Sequence, residues 1–169
     1  MKHYLIIMPL MFFVNYVYGD ADMELIDVEP FNVIGIEIST TNELEMNSSD
    51  PKIPGLWESF YTKHYGKSLN GNPIYGVYSD YESDVNGQYS VLAGIKAQEA
   101  NSSYKVAKVK GGKYLVFRSE GDPSKAVVLA WQKVWEYFSN KNNEYERAYT
   151  SDFEVYEGVN SVSIYIAVK

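Results

Sequence analysis

The sequence predicts an α+β domain in which one β-α-β-β unit occurs twice, related by pseudo-two-fold symmetry. Stretches with the alternating pattern of strands surround two stretches with helical spacing, in the same order in each half. Residues 57–60 (WESF) in the first predicted helix are echoed by residues 135–138 (WEYF) in the second, and residues 79–82 (SDYE) by residues 151–154 (SDFE). Because each half has too few strands to be stable alone, we expect one antiparallel sheet with both helices on one face.

The first half begins with a strand-like stretch that Pro30 and Gly35 break into a bent strand or two pieces. A polar segment follows, in which we expect a turn. The next segment predicts a helix, since a proline suits its first turn and Leu56 and Phe60 lie four residues apart. The predicted elements are, in order, the strand at 23–40, the turn at 41–50, the helix at 53–65 and strands at 74–81 and 88–97.

The second half repeats this order. Gly111 and Gly112 interrupt its first strand-like stretch. Asp122 is a favourable N-cap for the helix that follows, and Pro123 suits the first turn of that helix. The helix carries an apolar stripe at Val127, Ala130, Trp131, Val134 and Phe138. The predicted elements are the strand at 104–118, the helix at 122–138 and strands at 149–156 and 161–168.

Residues 1–19 have the three-part pattern of a secretory signal peptide. A lysine precedes an apolar run, and Val17 and Gly19 supply the compact residues of a cleavage site. A membrane anchor is disfavoured because the run at 4–18 is shorter than the roughly 18–20 residues that span a bilayer. A buried N-terminal strand or helix is the other alternative. We expect export to the periplasm or the medium, and a single mature domain at 20–169 without a stable membrane span.

Composition excludes several classes of function. The chain has no cysteine and two histidines, of which His3 lies in the predicted leader, so a histidine-rich zinc site or a Ser-His-Asp triad would depend on His64 alone. A formal net charge of −7 would repel nucleic acid. The Gly111-Gly112 pair lacks the surrounding motif of a phosphate-binding loop. We therefore expect no cofactor, no metal and no nucleic-acid partner.

Aromatic residues make up 15% of the chain, with 16 tyrosines, and many lie in the paired strands that follow each predicted helix. In the last pair, strand alternation puts Glu154 and Tyr156 on one face and Phe153 and Val155 on the other. We expect the apolar pair to face the helices. Glu154 and Tyr156 would then point to the open side of the sheet or to the seam between the halves, where a ligand could bind.

A carboxylate among aromatic rings must be protonated, hydrogen-bonded by tyrosine hydroxyls or matched by a cation. Because tyrosine faces attract cations, Glu154 with several tyrosines is a credible receptor for a lipophilic cation. Alternation puts Tyr75 and Tyr78 on opposite faces of their strand, which suggests that only one of them reaches a ligand. The alternative is that the aromatic rings fill the core and Glu154 points to solvent.

Two motifs are specific enough to suggest a family: YESD-x-x-G-x-Y at residues 81–89 and DFE-x-Y at residues 152–156. Together with more general matches at 53–61, 108–117, 130–138 and 163–169, they make the sequence resemble the GyrI-like small-molecule-binding family, also found as the effector-binding domain of AraC-type and MerR-type multidrug regulators. The resemblance implies a tandem β-α-β-β fold with a ligand cleft between the repeats. It also implies hydrophobic, often cationic ligands and an acidic residue in an aromatic pocket.

On this resemblance, the DFE-x-Y motif assigns the acidic role to Glu154 with Tyr156 beside it, and the closing strand adds Tyr165. Ser163 and Ala167 stand where relatives usually carry an acid and a proline. No helix-turn-helix segment is recognisable, so we do not expect a transcription factor. Some relatives resemble hydrolases of strained electrophiles that act through a pocket glutamate.

We expect a stand-alone, exported protein that binds a flat, hydrophobic and cationic small molecule, rather than an enzyme. Glu154 would supply the counter-charge, and ring faces would come from Tyr156, Tyr165, Trp135 and one or both of Tyr75 and Tyr78. A second hypothesis is a hydrolase of strained or electrophilic small molecules, in which Glu154 activates water as a general base. A third is a non-catalytic protein-interaction module that uses the acidic surface.

Overall fold

The computed structural model describes residues 23–71, 73–97 and 103–169, so the leader predicted at 1–19 lies outside the described residues. The strands are β1 (Met23–Val28), β2 (Phe31–Thr40), β3 (Ile74–Ser79), β4 (Tyr89–Lys96), β5 (Lys105–Val109), β6 (Gly112–Glu120), β7 (Ser151–Tyr156) and β8 (Ser161–Ala167). The helices are α1 (Asn42–Asn47), α2 (Lys52–Ser59) and α3 (Pro123–Ser139). Helix α2 continues into a π-helical turn at Phe60–His64.

The eight strands form one antiparallel sheet in the order β1-β6-β8-β7-β3-β4-β2-β5. The two halves of the chain meet where β3 pairs with β7, and the strand order is symmetric about that pair. Helix α2 packs against β2 and β4, and helix α3 packs on the same face against β6 and β8. The predicted α+β class, with two helices on one face of an antiparallel sheet, is confirmed.

The first strand-like stretch of each half is two strands, and the pieces belong to different halves of the sheet. β1 pairs with β6 of the second half, and β5 pairs with β2 of the first. In the first stretch the break contains Pro30, which has no N–H to donate to a strand ladder. This exchange of edge strands ties the two halves together.

The segment at 41–50, predicted to be a polar turn, contains helix α1. Thr41 caps this helix by accepting a hydrogen bond from the Leu44 N–H at 3.2 Å. Glu45 then accepts hydrogen bonds from the backbone N–H groups of Lys52 and Ile53, both at 3.1 Å, where α2 begins. The prediction was wrong because a six-residue helix without a buried side chain carries no periodic apolar pattern.

The two sequence echoes differ in structural meaning. The echo at 57–60 and 135–138 falls on the helical segments that occupy matching places in the two halves. By contrast, Ser79 ends β3 and Ser151 begins β7, and these two residues are paired directly across the seam. The second echo therefore does not mark equivalent positions, although the strand order itself repeats.

On the face of the sheet that lies away from the helices, strands of the sheet cover a second side of the core. This back-face core includes Val77, Leu92, Tyr114 and Phe153, and strand β5 curls over it to contact β3 and β7. The Tyr114 hydroxyl donates to the Lys110 carbonyl at 2.7 Å, which holds the turn after β5 in place. On the other face, one apolar core lies under α3 and another under α2. Within the described ranges, no helix combines the length and the apolar character that a membrane crossing needs.

Gly35 and Gly94 lie opposite each other where β2 pairs with β4, and a Cβ on Gly35 would stand 2.0 Å from the Ala93 carbonyl oxygen. We predict that Gly35→Ala lowers the free energy of unfolding by about 1–3 kcal/mol, because the strands must shift apart. Gly55→Ala is the control. Its Cβ meets nothing within 4 Å, so the higher helix propensity of alanine in α2 should raise the free energy of unfolding by about 0.5–1 kcal/mol. Urea unfolding followed by circular dichroism measures both, and equal effects would contradict the prediction.

Candidate functional site

A cavity of about 850 Å³ lies between α2 and α3, above the seam of β3 and β7. A volume of this order is typical of small-molecule sites. The lining includes all three tryptophans of the chain and six tyrosines: Trp57, Trp131, Trp135, Tyr61, Tyr78, Tyr81, Tyr89, Tyr149 and Tyr156. In the part of the chain that the structure describes, no group of three histidine, cysteine, aspartate or glutamate side chains could hold a metal ion.

Glu154 lies on the floor of this cavity, in the middle of β7, and is 2% exposed. Its Oε1 accepts hydrogen bonds from the Tyr78 hydroxyl and the Trp131 indole N–H, both at 2.7 Å. Its Oε2 accepts one from the Tyr156 hydroxyl, also at 2.7 Å. The three donors are uncharged, so they satisfy the carboxyl as an acceptor without neutralising it.

The rings around Glu154 form two matching pairs. The Trp57 ring lies edge-on to the Tyr156 ring at 5.2 Å, and the Trp131 ring lies edge-on to the Tyr78 ring at 5.1 Å. In each pair, a tryptophan on the helical layer of one half meets a tyrosine on the central strand of the other half. The pairs therefore hold the helices to the seam and surround the carboxyl with aromatic surface.

Gly76 makes room for the carboxyl. It lies directly opposite Glu154 where β3 pairs with β7. A Cβ at this position would stand 2.8 Å from Oε2 of Glu154 and 2.9 Å from the Trp57 ring. A glycine inside a strand often marks such a close approach, and any larger residue here would displace the acid or the indole.

Burial raises the pKa of the Glu154 carboxyl above its ordinary value, while hydrogen bonds from Trp131, Tyr156 and Tyr78 oppose that rise. Burial and the adjacent Glu154 also raise the pKa values of the Tyr78 and Tyr156 hydroxyls, so both stay protonated and remain donors. The site can therefore store a proton on the carboxyl, and an arriving positive charge would favour its release.

The expected orientation of strand β7 was wrong. Phe153 and Val155 lie in the back-face core, and Glu154 contacts the helical layer through Trp131. The apolar pair is needed on the back face because the curled strand β5 covers that face, whereas the gap between the helices accommodates the acid. The predicted seam is therefore the right location, but the cavity opens on the helical face of the sheet.

The structure brings four of the six predicted site residues to the cavity: Glu154, Tyr156, Tyr78 and Trp135. Trp135 lies at the rim and is 48% exposed. Tyr75 and Tyr165 lie on the back face, where Tyr165 stacks on Phe153 at 4.4 Å and Tyr75 packs against Phe31 at 5.5 Å. Neither lines the cavity, and of Tyr75 and Tyr78, expected on opposite faces of their strand, Tyr78 is the one that reaches it.

Sequence reasoning missed the two tryptophans nearest the acid. The sequence pattern places Trp131 in the apolar stripe of its helix, and Trp57 appears in it only as a member of the repeated segment at 57–60. Trp131 and Trp135 lie four residues apart on α3, so they share a face of the helix, and their rings are stacked at 6.2 Å. That spacing was the available signal for a tryptophan-lined surface.

A second polar cluster lies near the start of β7, before Glu154. Asp152 is fully buried, and its Oδ2 accepts hydrogen bonds from Arg147 Nη2 at 2.5 Å and from the Tyr81 hydroxyl at 2.7 Å. Its Oδ1 accepts one from the Ala167 N–H at 2.8 Å. Burial by itself lowers the pKa of Arg147, but Asp152 reverses that effect and keeps the guanidinium charged. This ion pair closes one end of the cavity.

The fold and the cavity together define a GyrI-like small-molecule-binding domain. The family model Cass2, described as integron-associated effector binding protein, matches residues 24–168. The chain belongs to this family, and the resemblance inferred from its motifs is confirmed.

Three relatives illustrate the match. YobU of Bacillus subtilis (strain 168), named as a candidate transcriptional regulator, is 28% identical over 165 residues, which cover 89% of this chain and 99% of YobU. The solved integron cassette protein from the mobile metagenome of Vibrio cholerae is 37% identical, with a TM-score of 0.78 over 88% of this chain and 97% of that one. SAV2435, solved with tetraphenylphosphonium, is 21% identical, with a TM-score of 0.68 over 87% and 93%, and shares the fold.

The raised pKa of Glu154 predicts a pH-dependent cost to stability. The folded state keeps this proton at pH values where the unfolded chain has lost it, so wild-type stability falls as the pH rises above the ordinary pKa toward the folded one. The Glu154→Gln variant has no ionisable group at this position, so its stability does not fall with pH for this reason. The unfolding free energy of the variant minus that of the wild type should therefore increase with pH, by about 1.4 kcal/mol per unit of pH inside that window. Urea titrations at a series of pH values test it, and a constant difference would contradict it.

Proposed function

We propose that the chain binds a hydrophobic, cationic small molecule in the cavity between α2 and α3, with Glu154 opposite the positive charge. The observation that carries the proposal is a fully buried carboxyl whose three hydrogen-bond donors are all neutral. Burial without an opposite charge is unfavourable for an ionised carboxylate. A bound cation would provide that charge, which the three neutral donors do not.

The aromatic lining supports a hydrophobic cation over a hydrated metal ion. Indole and phenol rings carry negative charge density on their faces and attract organic cations by about 0.5–2 kcal/mol for each good contact. Trp57, Trp131, Tyr78 and Tyr156 surround the carboxyl on the helical side of the seam. A flat or quaternary cation could contact these rings while its charge lies near Glu154.

The relative SAV2435 was solved with tetraphenylphosphonium, which is itself a hydrophobic cation. Its fold is shared by this chain, and we transfer the ligand class to this chain as part of the proposal.

Tetraphenylphosphonium should bind the wild type and quench its fluorescence, because all three tryptophans of the chain line the cavity. Glu154→Gln should weaken binding about tenfold or more, since that loss corresponds to one charge-assisted contact of about 1.4 kcal/mol. Glu136→Gln removes an exposed carboxylate of α3 outside the lining and should leave the affinity unchanged. Equal affinities of the wild type and Glu154→Gln would remove Glu154 from the site.

We further propose that this binding takes place outside the cytoplasm. The support is the basic residue, apolar run and compact cleavage-site residues of the segment at 1–19. Intact-mass measurement of natively expressed protein should show a chain that begins at Asp20. A mass that includes Met1–Gly19 in exported or cytoplasmic fractions would overturn the proposed cleavage.

A further inference from the structure

Arg147 is a basic residue in the lining of the cavity. Its guanidinium lies 4.6 Å from the Tyr149 ring centroid and 5.9 Å from that of Tyr81. Both of its hydrogen bonds, to Asp152 and to the Tyr81 hydroxyl, leave from Nη2. Its Nε is buried and has no hydrogen-bond acceptor among the residues that the structure describes.

A buried N–H without an acceptor is rare in native structures and unfavourable for the folded state. The Arg147 side chain is 9% exposed and lines the cavity, so part of this side chain faces the space that a ligand would occupy. The described lining also contains four acids, which are opposite in charge to Arg147: Glu45, Asp84, Asp122 and Glu154. A ligand's positive charge is attracted by the acids and is least favoured beside Arg147.

We infer that Arg147 is a second ligand-binding residue, and that the cavity takes amphipathic cations carrying a hydrogen-bond acceptor at the end away from the charge. Carbonyl and carboxylate oxygens are acceptors of this kind. The inference rests on the proposed function, since Glu154 must hold the positive end. It deepens that function by giving the ligand a direction in the cavity.

The strand geometry sets the scale of such a ligand. Asp152, the partner of Arg147, lies two residues before Glu154 on the same face of β7. Two residues of strand span roughly 7 Å. The cationic and acceptor groups of the ligand are therefore separated by about the length of a four- or five-carbon chain.

Two probes with chains of equal carbon number separate the role of Arg147 from that of Glu154. Pentyltriphenylphosphonium carries the cation alone, whereas (4-carboxybutyl)triphenylphosphonium adds a carboxylate at the far end. Arg147→Lys keeps a charge opposite Asp152 but lacks Nε. The double variant Arg147→Met with Asp152→Asn removes both charges together and leaves an amide oxygen for the Ala167 N–H.

In both variants, the affinity for the carboxylate probe should fall about tenfold relative to the affinity for the pentyl probe, measured by tryptophan quenching. The two variants provide independent tests if one of them fails to fold. The inference would be overturned if the ratio of the two probe affinities stayed unchanged, as it does when both affinities fall equally. The proposed function would stand in that case if Glu154→Gln still weakened binding of the pentyl probe. Failure of both probes to bind the wild type would overturn the proposed function together with this inference.

Discussion

The buried carboxyl of Glu154, held by three neutral donors, is the interaction on which the site depends. Removing an ionised carboxylate from water costs several kcal/mol, and hydrogen bonds offset only part of that cost. An apolar side chain of similar size would fill the same volume without the cost. The unfavourable burial is consistent with the proposed cationic ligand, whose positive charge would stabilise the ionised form of Glu154 against the effect of burial.

The rest of the fold makes such a position possible. Helices α2 and α3 each cover their own half of the sheet and leave the seam between them open. The back of the sheet needs no helices, because strand β5 curls over it and side chains of β1 pack against its core. Phe153, Tyr165 and Tyr75 fill that side, so the aromatic rings of the chain divide between a packed back face and a ligand-sized cavity.

Local patterns predicted most of the elements, the repeat and the acid at the centre of the site. They could not predict which face of β7 the helices cover, since alternation groups residues by face without saying what lies on each face. That choice depends on the pairing of β1 with β6 and of β5 with β2, which joins residues far apart in the chain. The placement of Tyr75 and Tyr165 on the back face depends on the same long-range pairing.

The site also shows how a symmetric fold accommodates one acid. An offset of 78 residues relates Tyr78 to Tyr156 and Gly76 to Glu154. Gly76 and Glu154 are in addition direct partners across the seam, so the pseudo-two-fold axis passes between them. The two tyrosines then reach the acid from opposite sides and donate to different oxygens. Two glutamates on the axis would repel each other in a low-dielectric space, whereas one glutamate facing one glycine places a single charge at the centre of both halves.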